Sequence, residues 1–219
     1  MSREPHRGLK KGKLVCYNVH GARMEQIRSF VAIELDEEIR EQLSIIQRSL
    51  KSKGLADTVR WVKPQGIHLT LKFLGGVPAS RIQEIVLAVT QGKDGVMPFT
   101  ISFGGLGCFP NTRRPNVIWV GVDGDTGALV RLQTGIEERL ATEGYPSEKR
   151  RYSPHLTLGR VDRRISDSER RRLGDLIQEQ TVGSLGQMQV RAVSVMKSEL
   201  SRAGATYTRL AAVPLEAPG

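Results

Sequence analysis

Cysteine is scarce in this 219-residue chain: Cys16 and Cys108 are too few for a disulfide framework and too far apart for a metal-binding pair. A reducing, cytoplasmic setting is expected from that usage. Long apolar runs are also missing. The longest, such as Val117–Val122, are strand-sized, far short of the roughly 20 residues a membrane-spanning helix needs. No apolar stretch follows the basic residues near the N-terminus, so no secretory signal is expected there. The chain carries no G-x-G-x-x-G, P-loop, H-E-x-x-H or G-x-S-x-G pattern. Hydrophobic residues still make up 39% of the chain, in compact blocks, enough to bury a core and to exclude wholesale disorder.

Thirty-three Lys and Arg against 23 Asp and Glu give a net charge of +10, a balance that favours a polyanionic partner. Half of that excess is local. Residues 1–23 hold six basic residues and one acid, Glu4, a net of +5. With no apolar periodicity, they are expected to form a flexible N-terminal extension to a single bilobal domain over residues 24–219.

Within that domain, Arg28–Leu35 reads as a buried strand. Asp36 then offers an N-cap for a helix with Ile39, Leu43, Ile46 and Leu50 on one face, closed by Gly54. The tetrapeptide His-Leu-Thr-Leu occurs twice, at His68–Leu71 and His155–Leu158, an offset of 87 residues. The same offset carries Phe30–Leu35 onto the apolar Val117–Val122 and the helix after Asp36 onto one capped by Asp125 and running through Ala141. Further helices are predicted near 80–90 and 166–180, and strands at Phe99–Phe103, Met188–Val195 and Thr206–Val213. The economical architecture is α+β: two pseudo-twofold-related β-α-β-α-β lobes with a central cleft and outer helices. The glycines at Gly104–Gly107, followed by Phe109-Pro110-Asn111, are expected to mark the crossing between lobes.

Strand alternation puts His68 and Thr70 on one face and Leu69 and Leu71 on the other, and the same holds for His155, Thr157 and their leucines. The other two histidines, His6 and His20, lie in the extension, so every histidine of the folded body sits in a repeated motif. Two imidazoles with ordinary pKa near 6.5 supply a general acid and a general base around neutrality. The two threonine hydroxyls can donate to non-bridging phosphate oxygens. No third ligand stands at metal spacing, so neither a metal nor another cofactor is expected. The set suits opening or closing of a phosphodiester and lacks the activated nucleophile that acyl transfer needs.

The segments Arg28-Ser-Phe-Val-Ala-Ile, Val62-Lys-Pro-Gln-Gly-Ile-His-Leu-Thr-Leu-Lys-Phe-Leu-Gly and Tyr152-Ser-Pro-His-Leu-Thr-Leu-Gly-Arg carry a family resemblance. The chain resembles the 2H phosphoesterase superfamily, in its RNA 2',3'-cyclic phosphodiesterase branch, also called 2'-5' RNA ligase. That resemblance covers nearly all of the chain from Met24. It implies a bilobal fold and metal-independent hydrolysis of RNA 2',3'-cyclic phosphate ends to 2'-phosphomonoesters, with His68 and His155 catalytic. It also implies that His155 activates water and His68 protonates the departing 3' oxygen, roles that the pseudo-symmetry alone leaves interchangeable. By resemblance, Arg160 joins Thr70 and Thr157 in binding phosphate or sandwiches the base, and Phe30 stacks on the terminal base. Arg150, Arg151, Arg163 and Arg164 thicken the positive field near the second motif and could track RNA. The expected ligand is RNA or a nucleotide with a 2',3'-cyclic phosphate, bound by a monomer with no membrane association. Joining of tRNA halves and non-catalytic RNA binding remain the alternatives.

Overall fold

The computed structural model describes residues 25–201 and 204–215, so the expected extension over residues 1–23, with His6, Cys16 and His20, lies outside the described residues. The first strand, β1 (Gln26–Glu34), feeds α1 (Glu37–Leu50), whose buried face is Ile39, Leu43, Gln47 and Leu50. Asp36 stands at the N-cap with extended backbone, although its side chain makes no capping hydrogen bond. A wider turn over Lys51–Leu55 follows, and Gly54 at φ 94° ends it in a conformation that a side chain would strain. The short β2 (Val59–Trp61), β3 (His68–Pro78), α2 (Ile82–Gly92) and β4 (Phe99–Phe109) complete the first half of the sequence.

The second half runs β5 (Val117–Gly124), α3 (Thr126–Thr142), β6 (His155–Val161), α4 (Asp167–Glu179), β7 (Ser184–Val190), β8 (Ala192–Ser201) and β9 (Gly204–Pro214). Asp125 caps α3 by accepting from the Ala128 amide. Ser166 and Glu169 form a reciprocal capping box on α4. All strands join one antiparallel sheet in the order β7-β4-β5-β6-β3-β1-β8-β9, with β2 paired to β6. The two expected lobes are its two halves, β7-β4-β5-β6 and β3-β1-β8-β9, and they exchange strands. Strand β4 comes from the first half of the sequence but lies between β7 and β5, while β8 comes from the second half and pairs with β1.

Two expected boundaries are corrected. Gly104–Gly107 is no crossing; it lies inside β4, where a register shift and Gly105 at φ 67° make a bulge, and the chain turns only after Phe109. The single strand expected over Met188–Val195 is two strands on opposite halves of the sheet, β7 and β8, separated at Arg191. A continuous apolar-rich run does not reveal such a break, because partner choice is non-local.

The sheet has two unequal faces. Val31, Ile33, Leu69, Leu71, Leu156 and Leu158 point to the helix side and share one core with Leu43, Leu132 and Leu173. Each fully buried aliphatic side chain there contributes about 1.5–3 kcal/mol. The opposite face, free of the four helices, carries a small separate cluster of Phe30, Ala32 and Met196 with Tyr207 packed on it. This open face holds both His-x-Thr motifs.

Candidate active site

The two motif strands, β3 and β6, meet at the middle of the sheet, where Leu69 and Leu156 are Cα partners. Both leucines are fully buried, whereas His68, Thr70, His155 and Thr157 are half-buried on the open face. Antiparallel pairing about that bridge puts His68 across from Thr157 and Thr70 across from His155. Each imidazole thus sits beside the other motif's hydroxyl.

Both rings are oriented in the same way. His68 Nδ1 lies 2.8 Å from the Gly66 carbonyl oxygen, and His155 Nδ1 lies 2.7 Å from that of Ser153. A carbonyl can only accept, so each Nδ1 carries a hydrogen and each Nε2 is left to exchange a proton. The supporting carbonyls come from local structure: Pro64–Gly66 forms a 3-10 turn just before β3, and Ser153-Pro154 leads into β6.

Aromatic walls surround the imidazoles. Phe30 stacks on His68 at 4.5 Å between ring centroids, and Tyr207 from β9 meets His68 edge-on at 5.0 Å. His155 meets the Phe109 ring edge-on at 4.8 Å, with Trp119 behind Phe109 at 5.2 Å. Burial against these rings pushes both imidazoles below their ordinary pKa, against the upward pull of the hydrogen bonds to Gly66 and Ser153. Charge then separates the pair: the Glu34 carboxylate draws His68 back up, while the Arg160 guanidinium presses His155 further down. Glu34 is the Cα partner of His68 on β1, and its Oε1 accepts from Ser194 at 2.6 Å and from Arg209 at 3.2 Å. Nothing in the chain's local pattern marked Glu34 or Tyr207 as part of this site.

A matched pair of bulges extends each half-site. In β3 the register against β1 skips Leu71, and in β6 the register against β5 skips Leu158, the residue 87 positions later. Each skipped residue turns the strand so that the residue three beyond the threonine returns to the open face. On β6 that residue is Arg160, exposed and close enough to influence both His155 and Tyr207. On β3 it is Phe73, 58% exposed, with its ring centroid 6.2 Å from that of Phe30. The 87-residue offset already related Phe73 to Arg160 and was the signal that could have found it.

Phe30 takes a place other than the base-stacking one expected of it. It is 2% exposed, with His68 on its face and Tyr207 at 5.3 Å, so no ring face is open to a base. Of the basic residues around the second motif, Arg164 forks onto Asp162 at 3.1 and 2.9 Å and holds that carboxyl well below the usual range. Arg150, Arg151 and Arg163 are exposed. Among the described residues no three His, Cys, Asp or Glu side chains converge in a way that could hold a metal ion.

Two matched half-sites on one sheet, each offering an imidazole and a hydroxyl, define a two-histidine phosphoesterase, and the comparisons agree: residues 33–119 and 120–207 each match the LigT-like phosphoesterase family, and the chain belongs to it. A protein of Methanothermobacter thermautotrophicus named RNA 2',3'-cyclic phosphodiesterase is 39% identical over 183 residues, covering 84% of this chain and 96% of its own. One of the same name from Archaeoglobus fulgidus is 35% identical, covering 84% and 98%. The crystal structure of E. coli LigT complexed with 3'-AMP superposes with a TM-score of 0.69 at 25% identity, covering 87% of this chain and 98% of LigT.

Proposed function

We propose that this protein hydrolyses 2',3'-cyclic phosphate ends of RNA to 2'-phosphomonoesters, using the two imidazoles and no metal. The observation that carries the reading is the antiparallel pairing of Leu69 with Leu156, which sets His68 beside Thr157 and Thr70 beside His155 across one strand seam. A cyclic phosphate seated there has a proton acceptor on one side, a proton donor on the other, and a hydroxyl beside each.

The acid and base roles follow the resemblance. His155 takes a proton from water and His68 gives one to the leaving oxygen, with the Arg160 guanidinium opposing positive charge on His155 and the Glu34 carboxylate favouring it on His68. Water attacks phosphorus opposite O3', the P–O3' bond breaks, O3' takes the proton from His68 and the phosphate stays on O2'. Thr70 and Thr157 donate to the non-bridging oxygens as charge builds on them. Phe73 and Arg160, at matching places on the two half-sites, offer an aromatic face and a guanidinium to the nucleotide, and Phe73 takes the stacking place that the resemblance implied for Phe30.

The protein acts as a monomer in the cytoplasm on this reading, a setting that suits the free and buried thiol of Cys108. The name shared by the M. thermautotrophicus and A. fulgidus relatives supports the activity. The test is turnover of adenosine 2',3'-cyclic phosphate in excess EDTA, with the product isomer read by phosphorus NMR. Formation of 2'-AMP is expected; 3'-AMP would reverse the assigned cleavage, and absence of turnover would leave a binding protein.

A further inference from the structure

Beyond Phe109 the chain turns through residues 110–116 and packs on α4, leaving a cavity of ≈ 560 Å³ between loop and helix. Its wall is fixed by more than loop geometry. The Arg170 guanidinium donates to the Pro115 carbonyl at 2.6 Å, to Asn116 Oδ1 at 3.1 Å and to the Asp162 carbonyl at 3.2 Å. The Thr112 carbonyl presses so close to Gly174 that a Cβ there would lie 1.8 Å from it, so only glycine lets helix and loop meet.

Arginine dominates the lining. Arg113, Arg114, Arg170 and Arg171 contribute four positive charges against Asp167 and Asp175, a net of +2. Among the described residues, none of these four arginines is in a salt bridge. Guanidinium groups grip phosphate oxygens through two parallel hydrogen bonds, which lysine cannot do.

The loop that lines the cavity leaves β4, and Arg170 of its helix wall is tied to the residue after β6. Asn111 follows by two residues the Phe109 whose ring edge meets His155, and Asp162 directly follows β6, which carries His155, Thr157 and Arg160. We infer that this cavity is a backbone-phosphate subsite for the single RNA strand running 5' from the cyclic end, so that the preferred substrate is an oligonucleotide. The inference rests on the hydrolase reading above. Its charges are spread over a loop and a helix and its volume exceeds one phosphate group, which fits a chain of phosphodiesters better than a lone anion.

The test compares the wild-type protein with an Arg113→Gln/Arg171→Gln variant, leaving Arg170 to its structural bonds. Two substrates are used: adenosine 2',3'-cyclic phosphate and a hexanucleotide ending in a 2',3'-cyclic phosphate. Binding of the same hexanucleotide with a 2'-phosphate end is followed by fluorescence anisotropy over a range of salt. The hexanucleotide-to-mononucleotide ratio of kcat/KM should fall about tenfold in the variant, and the salt slope of binding should shrink by about 0.7 for each phosphate that is no longer neutralised. An unchanged ratio with an unchanged slope would overturn the subsite. Loss of hexanucleotide binding in a variant of a protein that turns over neither substrate would support the subsite while sinking the hydrolase reading.

Discussion

Leu69 and Leu156 are Cα partners at the seam between β3 and β6, and both are fully buried. Their pairing does two things at once. It commits one leucine of each motif to the helix-side core, and it fixes which hydroxyl faces which imidazole. A slip of one residue would turn both motifs toward the core, and the cost of burying two imidazoles and two hydroxyls there holds the register.

The four groups that this seam brings together should fail as a unit. His68→Ala and His155→Ala are each expected to lower turnover by about 10² to 10⁴, and Thr70→Ala and Thr157→Ala by about 10² to 10³. The double His68→Ala/His155→Ala variant should be little worse than the poorer single one, because acid and base serve one transition state. Turnover of a 2',3'-cyclic nucleotide, with circular dichroism to confirm folding, checks this. A folded single variant with near-normal turnover would refute the two-histidine mechanism.

The placement of the motif residues on one face was legible because it is local: alternation needs no knowledge of partners, and the 87-residue repeat related the two strands. What escaped was non-local. Tyr207 reaches His68 from β9, and Glu34 faces it from β1, neighbours that no spacing announces. The exchange of β4 and β8 between the lobes likewise depends on strand pairing across long separations, and the glycines of β4 read as a turn when they form a bulge. Phe30 read as an aromatic near the site, which it is, but sequence does not say whether a ring's face is free or covered.

Lys72 is the bulge neighbour that became a clamp. Its side chain is 2% exposed, and its ammonium donates to Glu137 at 2.7 Å and to the Pro146 carbonyl at 2.9 Å. Glu137 also accepts from the Glu148 amide, so the pair ties the segment leading to Ser153 and His155 onto β3. Lys72→Met should destabilise by about 3–5 kcal/mol, because it strands a largely buried carboxylate, and Lys72→Met/Glu137→Leu should recover part of that loss. Urea unfolding of both variants measures it; a Lys72→Met cost below about 1 kcal/mol would mean that the pair is solvated like a surface bridge.

The acid and base assignment predicts opposite movements of the pH profile. Losing the Glu34 carboxylate in Glu34→Gln lowers the affinity of His68 for its proton, so the alkaline limb of kcat/KM should move to lower pH. Losing the guanidinium in Arg160→Gln lets His155 rise, so the acid limb should move to higher pH. The limbs report the coupled pair, and the direction of each shift is the readout. Both variants moving the same limb would undo the assignment.

Tyr207 tests burial itself as the cause of the depressed His68 pKa. Its ring covers both His68 and Phe30, so Tyr207→Ala should admit water to the imidazole and raise its pKa toward 6.5, while Tyr207→Phe keeps the cover and should leave it in place. Stability follows with a definite sign. In the wild type the unfolded chain protonates His68 first as pH falls below about 6.5, so stability is full above that pH and declines down to the lower folded value. Tyr207→Ala should lose less stability over that interval, whatever its loss at pH 8, because its folded and unfolded pKa values lie closer together. Proton NMR titration of the imidazole signals, beside thermal unfolding at pH 5 and pH 8, makes the measurement. An unchanged His68 titration in Tyr207→Ala would show that something other than this ring lowers the imidazole's pKa.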